Sequence, residues 1–164
     1  MTRLAHHLVL MEQGRAVAAG ALADVMARLD LPTARGEGAG VVLDARVAER
    51  DADWQLARLD VGPGGFALWA RDHGLAVGRD ARVRILARDV SLSQQPHRDS
   101  SIGNQLAGTV EELAADEHPA LALARVRVAG HPVVARLTRR SAAALGLQPG
   151  APVWVQIKTV ALME

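Results

Sequence analysis

The chain contains two copies of one short pattern, and this repeat constrains the possible folds more than any other feature of the sequence. Residues 73–85 align with residues 145–157, since both contain a Gly-Leu-x-x-Gly turn followed by alternating apolar residues. Such alternation is typical of half-buried strands. Self-similarity over about sixty residues predicts that one β module has been duplicated.

Both copies divide into short strand candidates separated by turn residues, of which Gly62-Pro63-Gly64-Gly65 is one example. The predicted strands are residues 41–48, 54–61, 66–70 and 81–87 in the first copy, and residues 110–113, 120–128, 132–137 and 152–160 in the second. Residues 141–145 are predicted to form a single helical turn, with Thr138 or a serine as its N-cap.

The residues before the first copy follow a different pattern. Residues 8–11 and 16–19 are predicted to form a hairpin, and residues 21–29 carry apolar side chains at helical spacing. Residues 32–40 are rich in glycine and lack apolar periodicity, which predicts a linker. His6 and His7 are adjacent and do not face one point, which favours ordinary surface histidines over a metal site.

Composition excludes several classes of function. The 164 residues include no cysteine, which removes disulfides, thiolate metal sites and cysteine nucleophiles. No apolar run reaches membrane-spanning length, and the N-terminus lacks a secretory pattern, so we expect a soluble protein. A net charge of +1, with three Trp, one Phe and no Tyr, argues against nucleic-acid binding.

The charges are distributed unevenly along the chain. No Asp or Glu occurs from His118 to Met163. Six fixed positive charges lie in the same stretch, on Arg125, Arg127, Arg136, Arg139, Arg140 and Lys158. Lys158 is the one lysine among nineteen basic residues, which favours a compact ammonium donor at this position over a generic surface charge. The pattern predicts a local anion site in the C-terminal part.

Four short segments offer donors for such an anion: Ser100 and Ser101 with the backbone of Ile102 and Gly103, Thr138, Ser141, and Lys158 with Thr159. Hydroxyls, backbone amides and one ammonium suit a tetrahedral dianion that carries no proton at neutral pH, because such a ligand needs donors only. The alternative is that the Ser and Thr residues are structural caps.

Alternation assigns the faces of the last strands. Val153, Val155 and Ile157 are predicted to face the core, which places Trp154, Gln156 and Lys158 on the opposite face. In the preceding strand, Val133, Ala135 and Leu137 alternate with Val134, Arg136 and Thr138. We expect Thr138 and Lys158 to lie outside the core of the module, on a surface that a partner subunit could cover. On that surface, an interface role for Trp154 is favoured over simple core packing.

Catalytic patterns are missing from the sequence. It contains no G-x-x-x-x-G-K-[ST] phosphate loop, no G-x-S-x-G elbow and no histidine pair at zinc spacing. Carboxylate pairs such as Glu111 and Glu112 occur in contexts where solvated charge is the default interpretation. We therefore predict that this chain is not an enzyme.

Several of these residues together resemble a known family. They are Ser101-Ile102-Gly103-Asn104-Gln105, Leu137-Thr138-Arg139-Arg140-Ser141, residues 145–150, and Ile157-Lys158-Thr159-Val160. Their order and spacing over residues 100–163 resemble the molybdate-binding Mop module, also called TOBE, of molbindins and molybdate-responsive regulators. Residues 3–20 resemble the tail of an ABC-type ATPase.

The resemblance implies a mainly β fold of tandem Mop/TOBE OB-like β-barrel modules with a short α/β N-terminal remnant of an ABC ATPase domain. The implied domains are an ATPase remnant at 1–31, a linker at 32–40, a first Mop-like OB half at 41–98 and a second Mop/TOBE module at 99–164. The whole resembles the regulatory region of the ATP-binding subunit of a molybdate importer. The full-length parent would be a molybdate-transporting ATPase, whereas this fragment has no ATP site.

The resemblance also implies a ligand and partners. Molybdate or tungstate would bind at the interface of a cytoplasmic homodimer, and the full-length parent would contact membrane permease subunits at the cytoplasmic face of the inner membrane. Nucleic acid is not an expected partner. The implied oxyanion-binding residues are Ser101, Ile102, Gly103, Thr138, Ser141, Lys158 and Thr159.

One position departs from the family pattern. The family commonly has Arg where this chain has Gly103, and the loss of a charge-assisted donor weakens the binding of a dianion. Arg136, Arg139 or Arg140 could compensate. Two alternatives to a sensing domain stay open: a structural dimerisation module that has lost its ligand, and a molbindin-like cytosolic molybdate store or regulator effector domain.

Overall fold

The structure is a computed structural model that describes residues 7–12, 15–21, 24, 26–29, 38–158 and 160–163. Within these ranges the backbone is built mainly from β-strands. The strands are β1 (His7–Glu12), β2 (Arg15–Ala21), β3 (Gly40–Asp51), β4 (Leu56–Val61), β5 (Phe66–Arg71), β6 (Asp80–Leu86), β7 (Val90–Ser93), β8 (Asn104–Ala115), β9 (Leu121–Val128), β10 (His131–Thr138), β11 (Pro152–Ile157) and β12 (Ala161–Met163). A 3₁₀ turn covers Ala87–Asp89, and helix α1 covers Arg139–Ala144.

The N-terminal hairpin is confirmed. Strands β1 and β2 pair antiparallel, with an irregular register between Leu10 and Met11. Asp24 and Met26 have helical backbone within the predicted helix at 21–29. Most of the predicted linker, residues 32–37, lies outside the described residues.

The two copies of the repeat form two antiparallel five-stranded sheets with equivalent strand orders. The first sheet has the order β12-β6-β3-β4-β5, and the second has the order β7-β11-β8-β9-β10. The duplicated β module predicted from the repeat is therefore present. The architecture is mainly β with curled sheets, which confirms the predicted fold class of OB-like barrel modules.

Each sheet takes its fifth strand from the sequence of the other copy. Strand β7 precedes the second copy but pairs with β11, with Leu92 opposite Val155. Strand β12 ends the second copy but pairs with β6, with Leu162 opposite Val83. The predicted domain boundary at 98/99 stays a prediction, and strand pairing crosses it in both directions. The two copies are thus tied together by backbone hydrogen bonds.

One hydrophobic core joins the sheets. It includes Leu43 and Val83 of the first sheet together with Leu123 and Ile157 of the second, each at most 2% exposed. Val134 of β10 is also buried, at 1% exposed, although it alternates with the core residues Val133 and Ala135. Both faces of this strand are covered because β10 also packs against β3 and the 3₁₀ turn.

Several strand boundaries differ from the predictions. Strand β4 begins at Leu56 and not at residue 54, because the Asp51 carboxylate accepts hydrogen bonds from the backbone N–H groups of Asp53 (3.1 Å) and Trp54 (3.3 Å) and closes a turn. Trp54 is 76% exposed on that turn. Strand β8 begins at Asn104, six residues before the predicted 110. The predicted strand at 152–160 ends at Ile157.

Strand β11 confirms the predicted core face of the second copy, since Val153, Val155 and Ile157 are all buried.

Among the described residues, no helix combines the length and the apolarity that crossing a membrane requires. The same part of the chain contains no group of three His, Asp or Glu side chains that could hold a metal ion.

Candidate oxyanion site

The turn from β10 into α1 brings two hydroxyl groups together. Thr138 has an extended backbone (φ −73°, ψ 148°) and is the N-cap of α1, which decides between the two predicted candidates, Thr138 and a serine. Its Oγ1 accepts a hydrogen bond from the backbone N–H of Ser141 at 3.0 Å and donates one to Ser141 Oγ at 2.9 Å. Both residues are exposed. The local cap thus places both hydroxyls on the surface, where a ligand can reach them.

These hydroxyls line an open hollow of about 430 Å³, which is formed where β7 and β10 approach each other. A water molecule occupies roughly 30 Å³ in the liquid, so the hollow holds several. Its lining residues are Ser91, Leu92, Arg136, Leu137, Thr138, Ser141, Ala144 and Leu145. The strand β7, which the sequence did not predict, therefore forms one wall.

The six positive charges predicted between His118 and Met163, here called the positive lobe, are partly paired with carboxylates of β8 and the following turn. Arg136 Nε donates to Asp116 Oδ2 at 2.6 Å, and the Asp116 side chain is only 3% exposed. Arg125 pairs with Glu112 at 3.1 Å, and Arg127 pairs with Glu111. These acids precede His118 in the sequence, so their pairing depends on the fold. The lobe is less positive than its sequence predicts.

The other three charges of the lobe differ in their contacts. Arg139 donates to the Pro119 carbonyl at 3.3 Å. Arg140 and Lys158 are exposed, and neither forms an ion pair within the described part of the chain. The ammonium of Lys158 is therefore available to an anion.

A second group of predicted donors lies at the start of β8 and the end of β11. Asn104 and Ile157 are the last paired residues at this end of β8 and β11, so Gly103, just before β8, and Lys158, just after β11, lie at the same end of the sheet. The backbone N–H of Lys158 donates to the Asp89 carbonyl at 3.0 Å. The backbone N–H of Ile102 donates to Ser100 Oγ at 3.1 Å. Ser101 and Gly103 are exposed in the loop before β8.

The predicted site residues thus form two groups within one chain. Thr138 and Ser141 line the hollow, whereas Ser101, Ile102, Gly103 and Lys158 are not among its lining residues. Thr159 lies outside the described residues. Trp154, predicted to lie at an interface, is half-buried opposite Ala107 and Ser93. The role of each residue in ligand binding stays a prediction.

Two residues next to the predicted donors hold neighbouring backbone in place, a role not predicted from the sequence. The Asn104 amide accepts from the backbone N–H of Trp69 at 2.8 Å and donates to its carbonyl at 2.9 Å. Gln105 accepts from the N–H of His97 at 2.7 Å and donates to the Ile102 carbonyl at 2.9 Å. The signal in the sequence was the pair of amide side chains that begins β8, directly after the Ser101–Gly103 donors.

Comparison with known protein families identifies the C-terminal part. Residues 100–163 match the family model described as the TOBE domain. This range contains β8–β12, α1 and both groups of predicted donors.

Curated relatives match nearly the whole chain. It is 58% identical over 164 residues to the molybdenum import ATP-binding protein ModC of Methylococcus capsulatus, covering 100% of this chain and 46% of that protein. It is 55% identical over 163 residues to ModC of Thiobacillus denitrificans, covering 99% of this chain and 44% of that protein. The chain therefore spans less than half the length of these relatives.

A solved structure resembles most of the fold. The cytoplasmic molybdate-binding protein ModG, crystallised with molybdate bound, superposes with a TM-score of 0.62 at 27% sequence identity. The match covers 74% of this chain and 94% of ModG. The described β architecture is thus shared with a protein that binds this oxyanion.

Proposed function

Residues 100–163 form a TOBE domain, and from this premise we propose that the chain is the regulatory molybdate-binding region of the ATP-binding subunit of a molybdate importer. The observation that carries the proposal is the identity of 58% with a molybdenum import ATP-binding protein along the full length of this chain. The likeness to molybdate-bound ModG supports the same ligand.

The oxyanion site is completed by a second copy of the chain. Thr138 and Ser141 line one hollow, and Lys158 lies with Gly103 in a separate group. A tetrahedral oxyanion needs donors from several directions at once, which neither group offers alone. In a symmetric dimer, the Lys158 group of one subunit meets the hydroxyls of the other, and Trp154 is covered by the contact.

The chemistry of the donors sets the selectivity. Hydroxyls, backbone N–H groups and the ammonium of Lys158 all donate, and they match an anion that is fully deprotonated at neutral pH. Phosphate carries a proton at this pH and also needs an acceptor, so we expect it to bind more weakly. Molybdate and tungstate share charge and shape, and both are ligands under this proposal.

Bound anion regulates transport by favouring one arrangement of the dimer. A ligand shared between two subunits binds only when they approach correctly, so it stabilises that arrangement in proportion to its differential affinity. We assign to this arrangement a transport-inactive state of the attached ATPase domains. The parent acts at the cytoplasmic face of the inner membrane with permease partners. Its ATP site belongs to the part of the relatives that this chain, without a phosphate-loop sequence, does not cover.

A second candidate is a dimerisation module without a ligand. The observation that favours it is Gly103, since the exposed loop before β8 carries no charge at this position. The N–H of Ile102 and the hydroxyls of Thr138 and Ser141 also already have hydrogen-bond partners within the chain. A structural dimerisation module needs no ligand in addition to these contacts.

Isothermal titration of the purified chain with molybdate, tungstate, sulfate and phosphate tests the proposal. We expect saturable binding of molybdate and tungstate, with sulfate and phosphate far weaker. Light scattering after size exclusion, with and without molybdate, gives the oligomeric state. The absence of molybdate binding at high micromolar concentration, in a chain that is dimeric, would favour the structural module.

A further inference from the structure

The Gln105 side chain contacts two parts of the loop between β7 and β8, residues 94–103. Gln105 Oε1 accepts from the backbone N–H of His97, and Gln105 Nε2 donates both to the Ile102 carbonyl and to the His97 carbonyl. Two carbonyls that share one donor nitrogen lie within about 6 Å of each other. Arg98, the residue after His97, is therefore held close to the Ile102 segment.

The segment that leads into the loop is bonded to β11 and to the end of α1. Gln156 Nε2 donates to Ser93 Oγ at 3.1 Å, and Gln94 Nε2 donates to the Leu145 carbonyl at 3.2 Å. Leu145 lines the hollow that contains Thr138. The loop therefore runs from the edge of the hollow to the donors before β8.

The loop lies at the end of the sheet where Lys158 follows β11. Gln105 and Gln156 are direct partners across β8 and β11, so their side chains share a face. Lys158 directly follows Ile157, the last residue of β11 and the partner of Asn104, so it lies at the end of the sheet where β8 begins. Arg98 and Lys158 are thus at the same end of the sheet, where Ser101 and Gly103 lie.

Arg98 is exposed and forms no ion pair with any residue that the structure describes. The adjacent Asp99 is exposed as well and is likewise without an ion pair in the described ranges. Among the C-terminal cations, Arg136 contacts Asp116 and Arg139 contacts the Pro119 carbonyl, whereas Arg140 lies on α1 beside Ser141 and not in this loop. The single positive charge of Lys158 balances only one of the two negative charges of a dianion. A guanidinium adds a second positive charge and supplies two parallel N–H donors.

We propose that Arg98 is a second cationic ligand of the oxyanion, which it reaches from the loop 94–103 beside Lys158, and that Gln105 is its positioning residue. The proposal rests on the oxyanion-binding function proposed above and adds a residue that contacts the ligand. Asp99, next to Arg98 in the chain and also exposed, carries the opposite charge.

Titration of the chain with molybdate tests the role of Arg98. We expect Arg98→Ala to weaken binding about tenfold or more, the usual range for a charge-assisted hydrogen bond, and Arg98→Lys to retain part of the affinity. Arg79→Ala is the matched control, because Arg79 is an exposed arginine in the first copy and its removal changes the net charge equally. Thermal unfolding and the oligomeric state of each variant check that only binding has changed.

Gln105 is tested in both backgrounds. We expect Gln105→Ala to weaken molybdate binding by a larger factor in the wild-type chain than in Arg98→Ala, since part of its effect passes through Arg98. Equal factors in the two backgrounds would overturn the positioning role.

The outcomes separate this inference from the proposed function. If the wild-type chain does not bind molybdate, the proposed function itself fails. If it binds and Arg98→Ala binds as tightly as Arg79→Ala, the proposed function stands and Arg98 is not a ligand. A loss confined to Arg98→Ala supports the inference.

Discussion

Thr138 Oγ1 accepts the backbone N–H of Ser141 at 3.0 Å and donates to the Ser141 hydroxyl at 2.9 Å. Thr138 is therefore the last residue of β10 and the N-cap of α1, and it also lines the hollow. A bound oxyanion would take the two O–H donors, while the N–H of Ser141 keeps its bond to Thr138. The Thr138 hydroxyl thus has a structural role as the helix cap and a proposed role in ligand binding, and substitutions can separate the two.

Thr138→Ala should reduce both stability and ligand binding. Loss of an N-cap side chain typically costs about 1 kcal/mol in the free energy of unfolding, and the hollow also loses a donor. Urea denaturation gives the first quantity and molybdate titration the second. Thr138→Ser keeps the hydroxyl and is expected to retain most of both. An alanine variant with unchanged affinity would remove Thr138 from the site.

Lys158→Ala should abolish detectable molybdate binding at high micromolar concentration. The ammonium is exposed and forms no ion pair within the described residues, so the free energy of unfolding should change by no more than about 0.5 kcal/mol. Lys158→Arg, as control, keeps the charge but alters the shape of the donor, and we expect intermediate affinity. Undiminished binding by the alanine variant would refute the predicted role of Lys158.

Gly103→Arg should strengthen molybdate binding. A Cβ at Gly103 would meet no heavy atom of the described residues within 4 Å, and this glycine is not among those with a positive φ. The side chain that the family commonly has is therefore sterically acceptable, and charge-assisted hydrogen bonds of about 1.5–3 kcal/mol correspond to a tenfold gain or more. Titration measures the change.

The control for Gly103→Arg is Gly108→Ala. A Cβ at Gly108 would lie 2.7 Å from Val126 Cγ1 and 3.0 Å from the Arg127 carbonyl oxygen. We expect this substitution to lower the midpoint of urea denaturation, whereas Gly103→Arg leaves it nearly unchanged. If Gly103→Arg binds no better than wild type, an arginine at this position does not reach the ligand.

Acid should destabilise the first copy through Asp72. Its carboxylate accepts from the Gly74 N–H at 2.8 Å and pairs with Arg50 at 2.9 Å, and these contacts hold the pKa of Asp72 below its ordinary value. A carboxyl group with a depressed folded-state pKa contributes stability that is fully present above its unfolded pKa of about 3.9, and the contribution is lost as the pH falls through the folded pKa.

The measurement for Asp72 is the midpoint of urea denaturation between about pH 2 and pH 6. We expect the fall in midpoint on acidification to be shallower in Asp72→Asn than in wild type. Asp53→Asn, in the exposed turn before β4, removes the same charge and serves as control. Equal slopes for wild type and Asp72→Asn would contradict this prediction.

Features with a local cause could be predicted from the sequence. The alternation of Val153, Val155 and Ile157 gave the core face of β11, because these side chains face the same sheet throughout. The N-cap role of Thr138 follows from a contact only three residues apart. The repeat predicted a duplicated β module, and the two sheets have equivalent strand orders because similar sequences pack in the same way.

Features with a distant cause could not be predicted. Strands β7 and β12 have four and three residues, and each is stabilised by a partner from the other copy. Val134 alternates like a surface residue but is covered by β3. The charge of Arg136 is offset by Asp116, twenty residues earlier in the chain. The arrangement of the site donors likewise depends on how the sheets close.

Asn104→Ala should loosen the junction between the two copies. Trp69 lies in β5, the edge strand of the first sheet, and the Asn104 amide bonds to its backbone where a neighbouring strand would otherwise pair. The amide accepts a hydrogen bond from the Trp69 N–H at 2.8 Å and donates one to the Trp69 carbonyl at 2.9 Å. Removing it leaves two partly buried backbone groups without this partner, which costs about 1–3 kcal/mol in the free energy of unfolding. Urea denaturation measures that loss, and faster hydrogen exchange of the Trp69 amide locates it. Asn104→Asp keeps the acceptor for the Trp69 N–H, so we expect the Trp69 amide to stay protected from exchange in this control. Equal exchange rates in wild type and Asn104→Ala would show that the Asn104 side chain does not hold this edge.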